Sequence, residues 1–222
     1  MANYYGSDLG PGTGPGQARQ PGGRRGGGAR AWAAARLVLG LVALLWLLEV
    51  VDVLTGHELD GFGIVPRTPS ELIDVIPASF IHFGFGHLMA NTVPLLVLGF
   101  LAALGGIRRF LLVSALIIVA DGVGVWLVAP SGTNTAGASG LIFGLFGYLL
   151  VTGFVERRPL GILVGILVAA VYGGTFLAGL APTQTGISWQ GHLIGLIAGV
   201  AAAFLVRGRR PLGRSAGVPG RL

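Results

Sequence analysis

The sequence predicts an all-α integral membrane protein, a bundle of six membrane-spanning helices with both termini in the cytosol. Three observations carry this reading. Of 222 residues, 53% are hydrophobic and only 11% charged, less than half the roughly 25% charged content of soluble domains. Mean hydropathy is +0.77. Apolar runs follow one another along the chain, and arginine collects at alternate connections between them.

A helix needs about 20 mostly apolar residues to cross about 30 Å of hydrocarbon. Runs at 31–54, 86–104, 109–129, 138–154, 160–180 and 190–206 supply six candidates. The fourth and sixth are short, so a polar residue at either N-terminus is expected to lie below the membrane surface. Residues 1–30 are rich in glycine, proline and arginine, with too little apolar surface to fold, and read as a disordered cytosolic tail. The apolar run that follows is too long for the core of a cleaved signal peptide. The membrane domain is then 31–206 and a basic cytosolic tail 207–222.

Arginine fixes the expected orientation, because positive residues are retained on the cytosolic side. Arg19, Arg24, Arg25, Arg30 and Arg36 flank the first run, Arg108 and Arg109 fall between the second and third, and Arg157 and Arg158 between the fourth and fifth. With Arg207, Arg209, Arg210, Arg214 and Arg221 they place fourteen of the fifteen arginines on one side. Arg67 alone falls in the long first outer connection, beside Glu58, Asp60, Glu71, Asp74 and three prolines, which mark an irregular loop. The net charge of +6 therefore reads as orientation within a lipid bilayer, and no specific nucleic acid partner is expected. Arginine in place of lysine, with heavy glycine and alanine use, suits a GC-rich bacterial genome and hence a bacterial plasma membrane.

Composition removes several chemistries. Without cysteine there is no disulfide, thiolate metal site or cysteine nucleophile, and without lysine no Schiff base or serine/lysine dyad. A zinc protease would need HExxH, but Gly61 stands where the second histidine after His57-Glu58 should fall. An aspartyl protease needs two facing carboxylates, and only Asp121 is clearly inside a span. No metal and no cofactor is expected.

Polar side chains within spans are costly and mark sites. Glu49 and Asp52 close the first span, where the outer interface is expected to hydrate them. His87 and Asn91 are four apart and share one helical face. Ser139, in Gly137-Ala138-Ser139-Gly140, opens the fourth run, where free backbone N–H groups and the positive end of the helix dipole suit an oxyanion. His192 opens the sixth, in Gly191-His192-Leu193-Ile194-Gly195. A serine hydroxyl needs a neighbouring base, and histidine titrates nearest working pH. Small-residue stripes at Gly140, Gly144 and Gly147, and at Gly195 and Gly199, predict close approach of these two helices and bring His192 beside Ser139.

HxxxN, GxSG and GHxxGxxxG, in this order on six spans, closely resemble the rhomboid intramembrane serine proteases over residues 31–206. The family's extra histidine has a counterpart in His82. The resemblance implies a Ser139 nucleophile, a His192 general base, and Asn91 and His87 stabilising the oxyanion with the Ser139 amide. It implies a water-filled cavity open to the outside and membrane-protein substrates, single-span or multi-span, entering laterally near helices two and five. A catalytically inactive rhomboid-like pseudoprotease or chaperone that binds transmembrane helices is the alternative. The chain departs from the family in two places. Glu71-Leu72-Ile73-Asp74 stands where a loop-bracing Trp-Arg pair is common, and Phe143 replaces a tyrosine that stacks on the catalytic histidine. Asp121 is expected to face the cavity or a partner in the bundle, not to complete a triad.

Overall fold

The structure, a computed structural model, describes residues 25–183 and 186–207. Among the described residues are six α-helices: α1 (Arg25–Leu54), α2 (Phe85–Leu104), α3 (Ile107–Val128), α4 (Ser139–Glu156), α5 (Pro159–Gly179) and α6 (Trp189–Leu205). The first five are long and apolar enough to cross a membrane, and α6 is a shorter apolar helix of 17 residues. At 1.5 Å per residue α4 and α6 rise only about 27 and 26 Å. The proposed tails lie mostly outside the described residues, but α1 is already helical from Arg25, six residues before the expected start. Arg108 and Arg109 belong to the first turn of α3, not to the connection before it.

Ala34, Val38, Val42 and Leu45 recur at steps of four and three along α1, so one stripe faces α2 and the remainder faces outward. Glu49 and Asp52 continue that stripe, and here the sequence expectation is corrected: they are 2% and 1% exposed, not hydrated. The cause is the chain after α1, which turns back over them. Asp52 accepts from the Leu59 N–H at 2.8 Å and pairs with His57 Nδ1 at 2.8 Å. Three short 3-10 helices, Glu58–Phe62, Pro69–Val75 and Pro77–Phe80, then build the long connection to α2.

The bundle is organised around α4, whose most hydrophobic stretch is 61% buried against 17% for α5. Its most extensive partner is α6. Lipid chains are as apolar as leucine, so hydrophobicity alone does not drive two spans together, and close backbone packing must do so. Glycine makes that possible. A methyl group on Gly199 would collide with the Gly144 backbone, one on Gly195 with the Gly140 carbonyl, and one on Gly147 would come within 2.6 Å of the Leu196 oxygen. At the far end of α4 from Ser139, Glu156 pairs with Arg109 and with Arg158 Nε at 3.2 Å, and the Arg109 guanidinium lies 5.4 Å from the Tyr148 ring centroid. This cluster ties α3 to α4.

Gly199→Ala is expected to lower stability by about 2 kcal/mol or more, the usual cost of overpacking a tight contact, while Gly173→Ala on α5, with no atom within 4 Å of the added methyl, leaves it unchanged or slightly raised. Thermal unfolding in detergent checks the pair.

Candidate active site

Ser139 is the first residue of α4, and its placement follows from the three residues before it. Gly137 has φ +128, a conformation that side chains avoid, and a methyl group there would come within 2.6 Å of the His87 ring. Its N–H donates to the Ala78 carbonyl at 2.8 Å. The Ala138 N–H donates to His82 Nε2 at 3.3 Å. Upstream, Thr135 pairs with Ile64 as an isolated antiparallel bridge, with N–H to O distances of 2.8 and 3.1 Å. The chain entering α4 is thus tied at three successive points to the first long connection.

His192 lies in the first turn of α6 and is buried. Its Nδ1 is 2.8 Å from the Gly179 carbonyl oxygen. A carbonyl only accepts, so Nδ1 carries the proton and the neutral ring keeps its lone pair on Nε2. Phe143, one turn after Ser139, stacks on the imidazole with centroids 4.0 Å apart and planes 11° from parallel. The phenylalanine therefore keeps the stacking geometry without a hydroxyl. Two contacts hold the ring, one polar and one aromatic.

On α2, Asn91 Nδ2 donates one N–H to the His87 carbonyl at 3.0 Å, which leaves its second N–H to point elsewhere. Ser139, His192, His87 and Asn91 all line one cavity of about 680 Å³, walled also by Phe143, Phe176, Trp189 and Asn134. Among the described residues no hydrogen bond joins Ser139 Oγ to the His192 ring. They share the cavity without being engaged.

Asp121, on α3, lies behind this cavity. It is buried, its carboxylate packs against Gly140 and Gly191, and it borders a second hollow of about 20 Å³ shared with Ser139 and Ser188. That is room for one water. The place next to His192 Nδ1 that a triad acid would take is held by Gly179.

These features agree with what known proteins show. The Rhomboid domain model matches residues 69–209. An uncharacterized protein of Mycobacterium tuberculosis is 46% identical over 176 residues, 76% of this chain and 73% of its own. The chain belongs to the rhomboid family. A putative rhomboid protease of Bacillus subtilis, YdcA, is 29% identical over 79% of this chain and 89% of its own length, and the rhomboid protease GluP of the same organism 30% identical over 73% of this chain and 32% of its own.

Within this rhomboid, two residues do more than sequence reasoning assigned. Arg67 braces the first connection: its Nη1 donates to the Leu127 and Ala129 carbonyls at 3.0 and 2.9 Å, closing the C-terminal end of α3. Trp126 Nε1 donates to the Thr68 carbonyl at 3.1 Å from the other side. The signal was available, since Arg67 is the one arginine outside the four basic clusters. His82 is the second. It is 1% exposed, meets His87 edge-on at 5.2 Å, and holds the residue before Ser139. Burial, with His87 beside it, pushes its pKa down to about 4.

The sign of that shift gives a test. Unfolded, the imidazole takes a proton near pH 6.5, whereas in the fold it stays neutral to about pH 4. Stability is therefore full above about pH 6.5 and falls as pH drops toward 4, by up to about 3 kcal/mol. His82→Gln, which keeps an acceptor for the Ala138 N–H but does not titrate, is expected to flatten the unfolding midpoint between pH 6.5 and 4.

Proposed function

We propose that this rhomboid is an intramembrane serine endopeptidase working through a Ser139/His192 dyad on membrane-protein substrates. One observation carries the reading: a serine at a helix N-terminus and a histidine with its lone pair on Nε2 border the same cavity, with Asn91 and His87 on its wall. Ser139 Oγ attacks the scissile carbonyl carbon while its proton passes to His192 Nε2. The oxyanion so formed is met by the Ser139 N–H, the second Asn91 N–H and His87. His192 then protonates the leaving amine, and water, deprotonated by the same ring, hydrolyses the acyl-enzyme.

All six helices cross the membrane in this reading, with the termini cytosolic as the arginines require. The inner-end cluster of Arg109, Glu156 and Arg158 fits that orientation. Because α4 and α6 are shorter than the hydrocarbon is thick, their outer N-termini sit below the headgroups. Residues Ala90, Asn91 and Pro94 of α2 and Thr175, Phe176 and Ala178 of α5 flank the cavity, which supports lateral entry between these helices. A substrate helix must unwind there, because its peptide bonds are internally hydrogen-bonded, so segments with glycine or proline are preferred. The setting is a bacterial plasma membrane.

A helix-binding pseudoprotease is the rival, favoured by the unengaged Ser139–His192 pair. Catalytic hydrogen bonds commonly tighten only when substrate binds, and binding alone has no use for a serine and a base lone pair in one cavity.

Reconstituted with a single-span substrate, the wild type is expected to cleave, and Ser139→Ala and His192→Ala to abolish both cleavage and labelling by a fluorophosphonate. Asn91→Ala should lower kcat by about 10² to 10³. Asp121→Asn should cost far less than Ser139→Ala, and equal losses contradict the dyad. Cleavage that survives Ser139→Ala refutes the mechanism, and an inert, unlabelled wild type supports the pseudoprotease.

A further inference from the structure

Asp121 is a buried group behind the cavity to which the proposed chemistry gives no task. It is 7% exposed, and its Oδ1 has no hydrogen-bond partner among the described residues. A methyl group on Gly140 would overlap its carboxylate, and one on Gly191 would stand 3.6 Å from Oδ1. Gly140 follows Ser139 and Gly191 precedes His192. One side chain of α3 therefore lies against the chain neighbours of both proposed reacting residues.

Both glycines stand in first turns, where backbone N–H groups lack intrahelical partners and the helix dipole is positive. α4 has no capping side chain. α6 is capped by Ser188, whose Oγ accepts from the Gly191 N–H at 3.3 Å and whose carbonyl accepts from the His192 N–H at 3.1 Å. The Ser188 hydroxyl keeps a proton to donate. A methyl group on Gly191 would stand 3.4 Å from that Oγ, so hydroxyl and carboxylate face the same spot. The hollow of about 20 Å³ is bordered by Asp121, Ser139, Gly140, Ser188 and Gly191. A carboxylate oxygen buried this deeply is costly unless a donor reaches it, and a water in a polar hollow of this size reaches two to four partners.

We propose that Asp121 is a positioning residue for the pair: with one water held in the hollow, its carboxylate anchors the starts of α4 and α6 together and so fixes Ser139 relative to His192. The inference rests on the proposed dyad. Asp121 touches neither reacting group and does not act as a base, since the Gly179 carbonyl occupies the place beside His192 Nδ1. It works through Gly140 on one side and through Ser188 and Gly191 on the other. The glycine contact between α4 and α6 sets how closely the helices approach, and Asp121 ties their two ends at the level of the cavity.

The test pairs amide hydrogen exchange of the full chain in detergent with kinetics on a single-span substrate. The first turns are closed by the Ile142 N–H on the Ala138 carbonyl and the His192 N–H on the Ser188 carbonyl. Asp121→Ala is expected to speed exchange in both turns together by about tenfold or more, and to lower kcat by about ten- to a hundredfold with KM unchanged. Asp121→Asn, which keeps the shape and an acceptor oxygen, restores most of both. Ser188→Ala loosens the α6 turn, and combined with Asp121→Ala it adds little to the loss in kcat, because the two act as one unit. Ser114→Ala removes another buried, unpartnered polar group of α3 two turns earlier and leaves exchange and kcat as in the wild type. Unchanged exchange at either turn in Asp121→Ala, an Asn variant no better than the Ala variant, additive losses in the double variant, or a Ser114→Ala that matches Asp121→Ala overturns the assignment. Exchange needs no proteolysis: a wild type that neither cleaves nor takes up fluorophosphonate counts against the dyad, while exchange at the two turns still decides whether Asp121 anchors them.

Discussion

The backbone contact between α4 and α6 is the constraint on which the rest of the molecule depends. Inside a bilayer, two apolar helices gain little from each other unless their main chains approach closely enough for dense van der Waals packing. The Gly140 and Gly144 backbones on one side and Gly195 and Gly199 on the other make that approach, and a side chain at Gly144, Gly195 or Gly199 would run into the facing main chain. The contact is rigid because there is no flexible side chain between the two backbones to adjust. It sets the level of the two helices relative to each other, so that Ser139 and His192, both near N-termini, border one cavity.

The connection between α1 and α2 acts as a scaffold for this arrangement. Its Ile64, Ala78 and His82 each hold one point of the segment 135–138, and Arg67 closes the end of α3 from which that segment departs. Precise placement of reacting groups is best achieved when their supports are themselves held by packing and hydrogen bonds. On the other side of the cavity, Gly179 and Phe143 hold the His192 ring in one tautomer and one plane. The buried neutral His82 shows what this organisation costs, since a polar ring is kept deep in the fold to serve one backbone N–H.

Much of this was legible in the residues alone. The helices and the glycine stripes follow from periodicity, and the expense of polar groups in lipid singles out Ser139, His192, His87 and Asn91, which the fold brings to one cavity. What could not be read depended on the return path of the first connection. Glu49 and Asp52 look like interfacial acids in a linear reading, because nothing in α1 itself says that residues 57–60 fold back over them. Arg67 stood out by its isolation, yet its partners, the Leu127 and Ala129 carbonyls and the Ser131 hydroxyl, are some 60 residues away, and two of the three are backbone groups that leave no trace in sequence. The early start of α1 at Arg25 is a case of a helix extending through glycines that propensity disfavours.

The central claim is that Ser139 and His192 act together on one bound substrate, and a peptidyl chloromethyl ketone tests it directly. Ser139 Oγ adds to the ketone carbon while His192 Nε2 displaces chloride from the adjacent methylene, so a single inhibitor bridges both residues. Mass spectrometry of the digested chain is expected to show the inhibitor on His192, the stable alkylation, and to show that label lost in Ser139→Ala, which cannot form the hemiketal that holds the inhibitor in place. No labelling of His192 in the wild type, or equal labelling in Ser139→Ala, would contradict it.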